Sequence, residues 1–259
     1  MIAEEDRWIR AFHSCPENEP QLFCFPHAGG SATYYFPLSR ALAPDVAVFA
    51  VQYPGRQDRR NEPCVDNIPE LANKVFEAIA QRAGGKFAFF GHSMGAIVAF
   101  EVARRFKQQT GTGPTWLFAS GRRAPSQPLR AGIHLRDDIG IVAELRKVGG
   151  TDQRFFDDEE VMASVLPVIR NDYKAVETYN WEPGMRLDCP VTALIGDSDP
   201  QTTADDAAEW AQHSDGSFDL RIFPGGHFYL DSRLDDVTDT IFTALTGVPR
   251  AITPDGSGL

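Results

Sequence analysis

Six short apolar runs punctuate this chain, and amphipathic stretches fill the gaps between them. The runs are "QLFCFPH" (Gln21–His27), "VAVFAVQYPG" (Val46–Gly55), "KFAFFGH" (Lys86–His92), "TWLFASG" (Thr115–Gly121), "VTALIGD" (Val191–Asp197) and "FDLRIFPGG" (Phe218–Gly226). Near-continuous apolarity over seven to ten residues predicts strands covered on both faces, as in parallel sheets. Helical periodicity lies between them. Ile68, Leu71, Val75 and Ile79 are three or four apart, as are Ile97, Phe100, Ala103 and Phe106. "TADDAAEWAQHS" and "LDDVTDTIFTALTG" supply two further helices. Strand–helix alternation predicts one α/β domain with a mostly parallel central sheet flanked by helices. A length of 259 residues suits a single domain of that kind.

One interval breaks the rhythm. About seventy residues separate Gly121 from Val191 without a convincing strand, too long for an ordinary connection. Inside it, "GIVAELRKVGG" and "DEEVMASVLPVIRNDYKAVETY" have helical spacing, with Val161, Val165, Val168, Ile169, Tyr173 and Val176 on one stripe. We expect residues 123–186 to form an inserted helical lid over one edge of the sheet, since long insertions often cover active sites. The plainer alternative is a small appended unit without a chemical role. The tail, 251–259, is small, polar and expected to be flexible.

Bulk properties exclude several function classes. A net charge of −11 disfavours nucleic acid or an anionic membrane as partner. No apolar run approaches 18 residues, and "MIAEEDRWIR" lacks the apolar core of a secretory signal, so a cytoplasmic protein is expected. Cys15, Cys24, Cys64 and Cys189 are scattered and form no CxxC pair. Neither a disulfide framework nor a zinc site is expected. No GxxxxGK[ST] or GxGxxG phosphate loop occurs.

The chemistry concentrates on three loops. "GHSMG" puts Ser93 at the centre of a G-x-S-x-G pentapeptide. Alone the pentapeptide is weak, but here a strand precedes it and a helix follows. That is the context a nucleophile elbow requires. Small flanking residues let the chain turn sharply, and the helix N-terminus favours developing negative charge.

Serine needs a base. His227 follows the last strand in "FPGGHFYL" and can overhang the sheet edge where the elbow lies. His92, inside the pentapeptide, is expected to point into the core, and His27 to shape its loop. An orienting acid comes from "LIGDSDP". Asp199, farther out on the loop, has the longer reach, whereas Asp197 is placed to cap the turn. The order Ser…Asp…His is that of α/β-hydrolases.

Backbone donors for an oxyanion would be the N–H groups of Met94 and, in "FPHAGG", of Ala28. Arg56, Arg59 and Arg60 in "PGRQDRRNEP" read as a solvated loop, with partner docking the sharper alternative. Arg122 and Arg123 in "GRRAP" carry the same ambiguity.

Taken together, "LFCFPHAGGSATYYFPLSRAL", "VQYPGR", "FFGHSMGAIVAFEVAR", "LRKVGGT", "LPVIRNDYKAVETY", "CPVTALIGDSDP" and "GGHFYL" resemble type II thioesterases over residues 20–245. These are the stand-alone editing enzymes of polyketide and non-ribosomal peptide synthases. The resemblance implies an α/β-hydrolase fold across 1–259 with the helical lid as insertion. It implies Ser93, Asp199 and His227 as a catalytic triad, with Met94 and Ala28 at the oxyanion hole. Asp199 matches the second acid of the family's Gly-Asp-x-Asp pattern. The implied substrate is an acyl thioester on the phosphopantetheine arm of a carrier protein, bound transiently by a monomer that needs no cofactor or metal. Arg56, Arg59, Arg122 or Arg123 could then serve carrier docking. A carboxylesterase or lipase of free esters with the same triad is the alternative.

Overall fold

A computed structural model of the chain describes residues 7–128, 130–150 and 156–250. The expected flexible tail, 251–259, lies outside the described residues, as does part of the inserted interval.

Seven strands form one sheet in the order β1-β3-β2-β4-β5-β6-β7. They are β1 (Ile9–Ala11), β2 (Gln21–Phe25), β3 (Ala47–Val51), β4 (Phe87–His92), β5 (Leu117–Ser120), β6 (Val191–Gly196) and β7 (Phe218–Phe223). Every neighbouring pair is parallel except β1 with β3. The six strands read from the sequence are β2 to β7. The antiparallel edge strand β1 has three residues, too few to show a period.

Alternate residues of the strands feed two cores. Phe23, Phe25 and Phe89 face one side, with Ile68, Leu71 and Val75 of α2 (Ile68–Ala80) and Ile97 and Phe100 of α3 (Met94–Thr110). Leu22, Cys24 and Phe90 face the other, with Leu38 and Leu42 of α1 (Phe36–Leu42) and Val237 and Ile241 of α7 (Leu234–Thr246). Each fully buried Leu, Ile or Phe contributes about 1.5–3 kcal/mol relative to exposure. β4 is covered on both faces, whereas β7 alternates and leaves Ile222 half exposed. β7 is an edge strand, so one of its faces needs less cover than the sequence reading assigned to it.

Between β5 and β6 the described residues contain no strand. They hold α4 (Asp138–Val148) and α5 (Glu159–Glu177). Each starts on an aspartate that accepts backbone N–H groups, Asp137 from Gly140 and Asp158 from Glu160 and Val161. Ile169, Tyr173 and Val176 of α5 join the α2/α3 core. The short α6 (Ala204–Ala208) opens on a Thr203–Asp206 capping box.

Among the described residues no helix is long and apolar enough to cross a membrane. Cys24 and Cys189 are buried, and Cys15 and Cys64 are half-buried; all four thiols are free.

The arginine clusters differ from the solvated loops expected of them. Arg56, Arg59 and Arg122 are buried. Arg56 pairs with Asp172 at 2.9 Å. Arg59 donates to Gln52 O and lies 4.1 Å over the Trp8 ring. Burial first, then the nearby Arg123 charge, lowers the Arg122 pKa to about 10. Buried as they are, these three do not form an exposed carrier-docking patch. Arg60 is exposed, and Arg123 binds Gln201 O and Asp206.

Candidate active site

The C-terminal ends of the parallel strands bring three loops together. Ser93 sits between β4 and α3 with φ 54° and ψ −118°. Among the described residues only Gln57 is another non-glycine with positive φ. Such backbone costs about 1–3 kcal/mol and persists only where its surroundings enforce it. Here Ser93 N–H donates to Ser120 O at 2.8 Å, and Ser93 O accepts from Ala96 N–H at 3.0 Å. A Cβ at Gly95 would lie 2.0 Å from Phe25 O. The second glycine of the pentapeptide therefore lets α3 start directly against the end of β2. That close approach sets the elbow beside the "PHAGG" loop.

His227 follows β7 and is buried. Its Nδ1 is 2.8 Å from Asp199 Oδ2, and the two side chains are 3% and 0% exposed. With the carboxylate as acceptor, Nδ1 carries the proton and Nε2 keeps its lone pair. The second oxygen, Asp199 Oδ1, accepts from Gln201 N–H at 2.8 Å. Asp197 is exposed and turned elsewhere, accepting from Gly225 N–H at 3.0 Å and Ser198 Oγ at 2.8 Å. Those bonds hold its carboxyl below the usual range, the Gly225 N–H foremost. Asp197 thus ties the Asp199 loop to the His227 loop, a larger job than capping one turn.

Ser93, His227, Ala28 and Gly29 line one cavity of about 90 Å³. Leu145 and Val148 of α4, and Ile169 and Tyr173 of α5, close it from the insertion side. Among the described residues no hydrogen bond joins Ser93 Oγ to His227. None accepts from Met94 N–H or Ala28 N–H either, so two backbone donors near Ser93 are free.

Two further histidines pack nearby, His92 beside His227 and His27 beside His92. His92 is fully buried; its Nδ1 is 2.9 Å from Ser120 Oγ, which lies 2.7 Å from Tyr229 Oη. Among the described residues no carboxylate bonds this His–Ser pair. Burial first, then the His227 and His27 charges, hold the His92 pKa well below 6.5. His27 packs edge-on to Tyr34 and Phe228 at 4.7 and 4.9 Å. Burial, then the charges of His227 and Arg56, push its pKa to about 3. A histidine so held stays neutral and shapes its loop.

Sequence reasoning did not single out Ser120, Tyr229 or Asp172. For Asp172 a signal existed. It falls within the apolar stripe of Ile169, Tyr173 and Val176, and a carboxylate there must be buried and paired. Among the described residues no group of three or more His, Cys, Asp or Glu could hold a metal.

A serine, a carboxylate-paired histidine and the Ala28 backbone donor on one cavity, with a second free donor on Met94 next to that serine, suit acyl transfer. The comparisons agree with that chemistry. A family model described as a thioesterase domain matches residues 20–245. The chain is 49% identical over 235 residues to thioesterase PikA5 of Streptomyces venezuelae, covering 90% of this chain and 84% of the relative. The solved structure of the type II thioesterase BorB from the borrelidin biosynthetic cluster aligns with a TM-score of 0.87 and 48% identity, covering 93% of this chain and 98% of that one. RedJ, the thioesterase of the prodiginine pathway in Streptomyces coelicolor, aligns at 0.83 with 35% identity, covering 89% and 90%. The chain has the α/β-hydrolase fold and belongs to the thioesterase domain family, as a type II thioesterase of the polyketide- and peptide-synthase kind.

Proposed function

We propose that this thioesterase clears acyl groups from the phosphopantetheine arms of carrier proteins, with Ser93 as nucleophile, His227 as base and Asp199 as its orienter. The buried 2.8 Å pairing of His227 Nδ1 with Asp199 carries the assignment. It leaves Nε2 as the free lone pair in the cavity that also holds Ser93. Catalytic hydrogen bonds such as Ser93 Oγ–His227 Nε2 are often long before substrate arrives.

His227 Nε2 takes the Ser93 proton as Oγ attacks the thioester carbonyl. Met94 N–H and Ala28 N–H stabilise the oxyanion, aided by the positive end of α3. The C–S bond breaks, and the thiol leaves with the proton held by His227. Water then attacks the acyl-serine, giving its proton to His227. The C–O bond breaks, Ser93 is reprotonated, and the free acid departs.

In this reading α4 and α5 are the lid. Leu145, Val148 and Ile169 would meet the acyl group, and opening between them and Phe228 would admit the pantetheine arm. The chain is expected to work as a monomer in the cytoplasm, and its net charge of −11 gives no long-range attraction to an acidic carrier, so docking is weak and transient.

The test compares kcat/KM for acyl-carrier protein with that for a simple ester of equal chain length. We expect the carrier substrate to be favoured at least tenfold. A clear preference for the ester would make the chain a carboxylesterase.

A further inference from the structure

The loop bearing the Ala28 donor is held by a charge pair outside the triad. His27 O accepts from Gly30 N–H at 2.9 Å. A planar trans peptide points its N–H opposite to its C=O, so that bond fixes the direction of Ala28 N–H. The next N–H, of Gly29, donates to Asp172 Oδ2 at 2.8 Å. The carbonyl of Gly30 accepts from Arg56 Nη1 at 3.2 Å. Arg56 Nη2 closes the circuit on Asp172 Oδ1 at 2.9 Å. Arg56 and Asp172 are 7% and 2% exposed. Of the N–H groups at positions 28, 29 and 30, only that of Ala28 is left without an acceptor among the described residues.

Three segments distant in sequence meet here. Arg56 lies beyond β3, and Asp172 lies on α5 of the insertion. Gln52 extends the brace, donating from Nε2 to Arg56 O and accepting from Ala32 N–H. One turn before Asp172 on α5, Ile169 Cγ1 lies 2.8 Å from where a Gly29 Cβ would be. Helix α5 therefore shapes the loop by both polar and steric contact.

A buried ion pair is a poor stabiliser compared with well-packed apolar residues. What this one supplies is direction, because Asp172 Oδ2 and Arg56 Nη1 each bond the loop backbone. Its neutrality also counts. A lone carboxylate behind Gly29 would oppose negative charge at the oxyanion, and the guanidinium offsets it.

We propose that Arg56 and Asp172 are positioning residues for thioester hydrolysis, aiming Ala28 N–H at the oxyanion and making α5 of the insertion a structural part of the oxyanion hole. This rests on the reading of Ala28 as an oxyanion donor given above.

The test uses the full chain with Asp172→Ala, Asp172→Asn and Arg56→Lys, acyl-carrier protein as substrate, and two inhibitors. One is a trifluoromethyl ketone, which adds to serine and generates an oxyanion. The other is a thioether analogue that binds without reacting. We expect Asp172→Ala to lower kcat about tenfold to a hundredfold, with KM and thioether affinity within twofold. Ketone affinity should fall by the same factor as kcat. Asp172→Asn should recover most of the loss, because its amide oxygen can still accept from Gly29 N–H. Arg56→Lys should lose about tenfold, since one ammonium cannot fork between Gly30 O and Asp172 as the guanidinium does. If Asp172→Ala does not fold, Arg56→Lys decides alone. Unchanged kcat and ketone affinity in a folded variant, or a loss confined to KM, would overturn the proposal. Failure of an organophosphorus probe to label Ser93 in the wild type would instead strike the underlying assignment of the site.

Discussion

Asp199 Oδ2 and His227 Nδ1 are 2.8 Å apart, and neither side chain reaches solvent to any useful extent. Asp197 stands two residues away and binds Gly225 N–H instead. The two acids are therefore predicted to differ sharply on substitution. Asp199→Asn can donate to His227 and favours the wrong tautomer, so kcat should fall about 10⁴-fold. Asp197→Asn should stay within about fivefold, since its amide oxygen can still accept from Gly225 N–H. Steady-state kinetics on acyl-carrier protein would check both.

Gly95 meets Phe25 O, and the contact is backbone against backbone. A methyl group there has no flexible neighbour to displace. Gly95→Ala is expected to cost about 3 kcal/mol or more, read as a fall in the urea midpoint. It should also lower kcat in whatever fraction stays folded, because α3 and the Ala28 loop would be forced apart.

Three histidines should make the fold acid-sensitive. Burial, followed by neighbouring positive charge, lowers His27 to about 3 and His213 to about 4, and holds His92 well below 6.5. Unfolded, each titrates near 6.5. Between the folded and unfolded values only the unfolded chain binds the proton, so acid favours unfolding. Stability should be full above pH 6.5 and fall below it by about 1.4 kcal/mol per pH unit for each histidine. Urea unfolding at pH 7.5, 6 and 5 would show the slope. His213→Gln, which can keep a hydrogen bond to Ser126, should flatten it by about one third.

Leu145 of α4 closes the 90 Å³ cavity around Ser93. Truncation to alanine should admit longer chains. We expect Leu145→Ala to raise the ratio of kcat/KM for octanoyl over propionyl carrier protein by about tenfold, the scale of a methylene in an apolar pocket. An unchanged ratio in a chain-length series would place the acyl group elsewhere.

Sequence patterns disclosed most of this fold because its parallel strands are buried on both sides and read as unbroken apolar runs. Where burial is one-sided or brief the signal fades, as in β7 and the three residues of β1. α1 was not anticipated, since its seven residues make fewer than two full turns. The loops bearing Ser93 and Asp199 were legible because each follows a strand buried along its whole length, and the His227 loop because Pro-Gly-Gly marks the end of β7. The Arg56–Asp172 pair was not. Its members are 116 positions apart, and only the folded chain shows that both charges turn inward. An arginine in a Pro- and Gly-rich loop looks solvated until the acid that neutralises it is found.

Ser93 is proposed to carry the acyl group from a carrier arm to water. Intact-protein mass spectrometry of acyl-loaded carrier protein, incubated with wild type or Ser93→Ala, tests it most directly. The acyl mass should be lost with wild type and retained with Ser93→Ala. Equal unloading by the variant would contradict it.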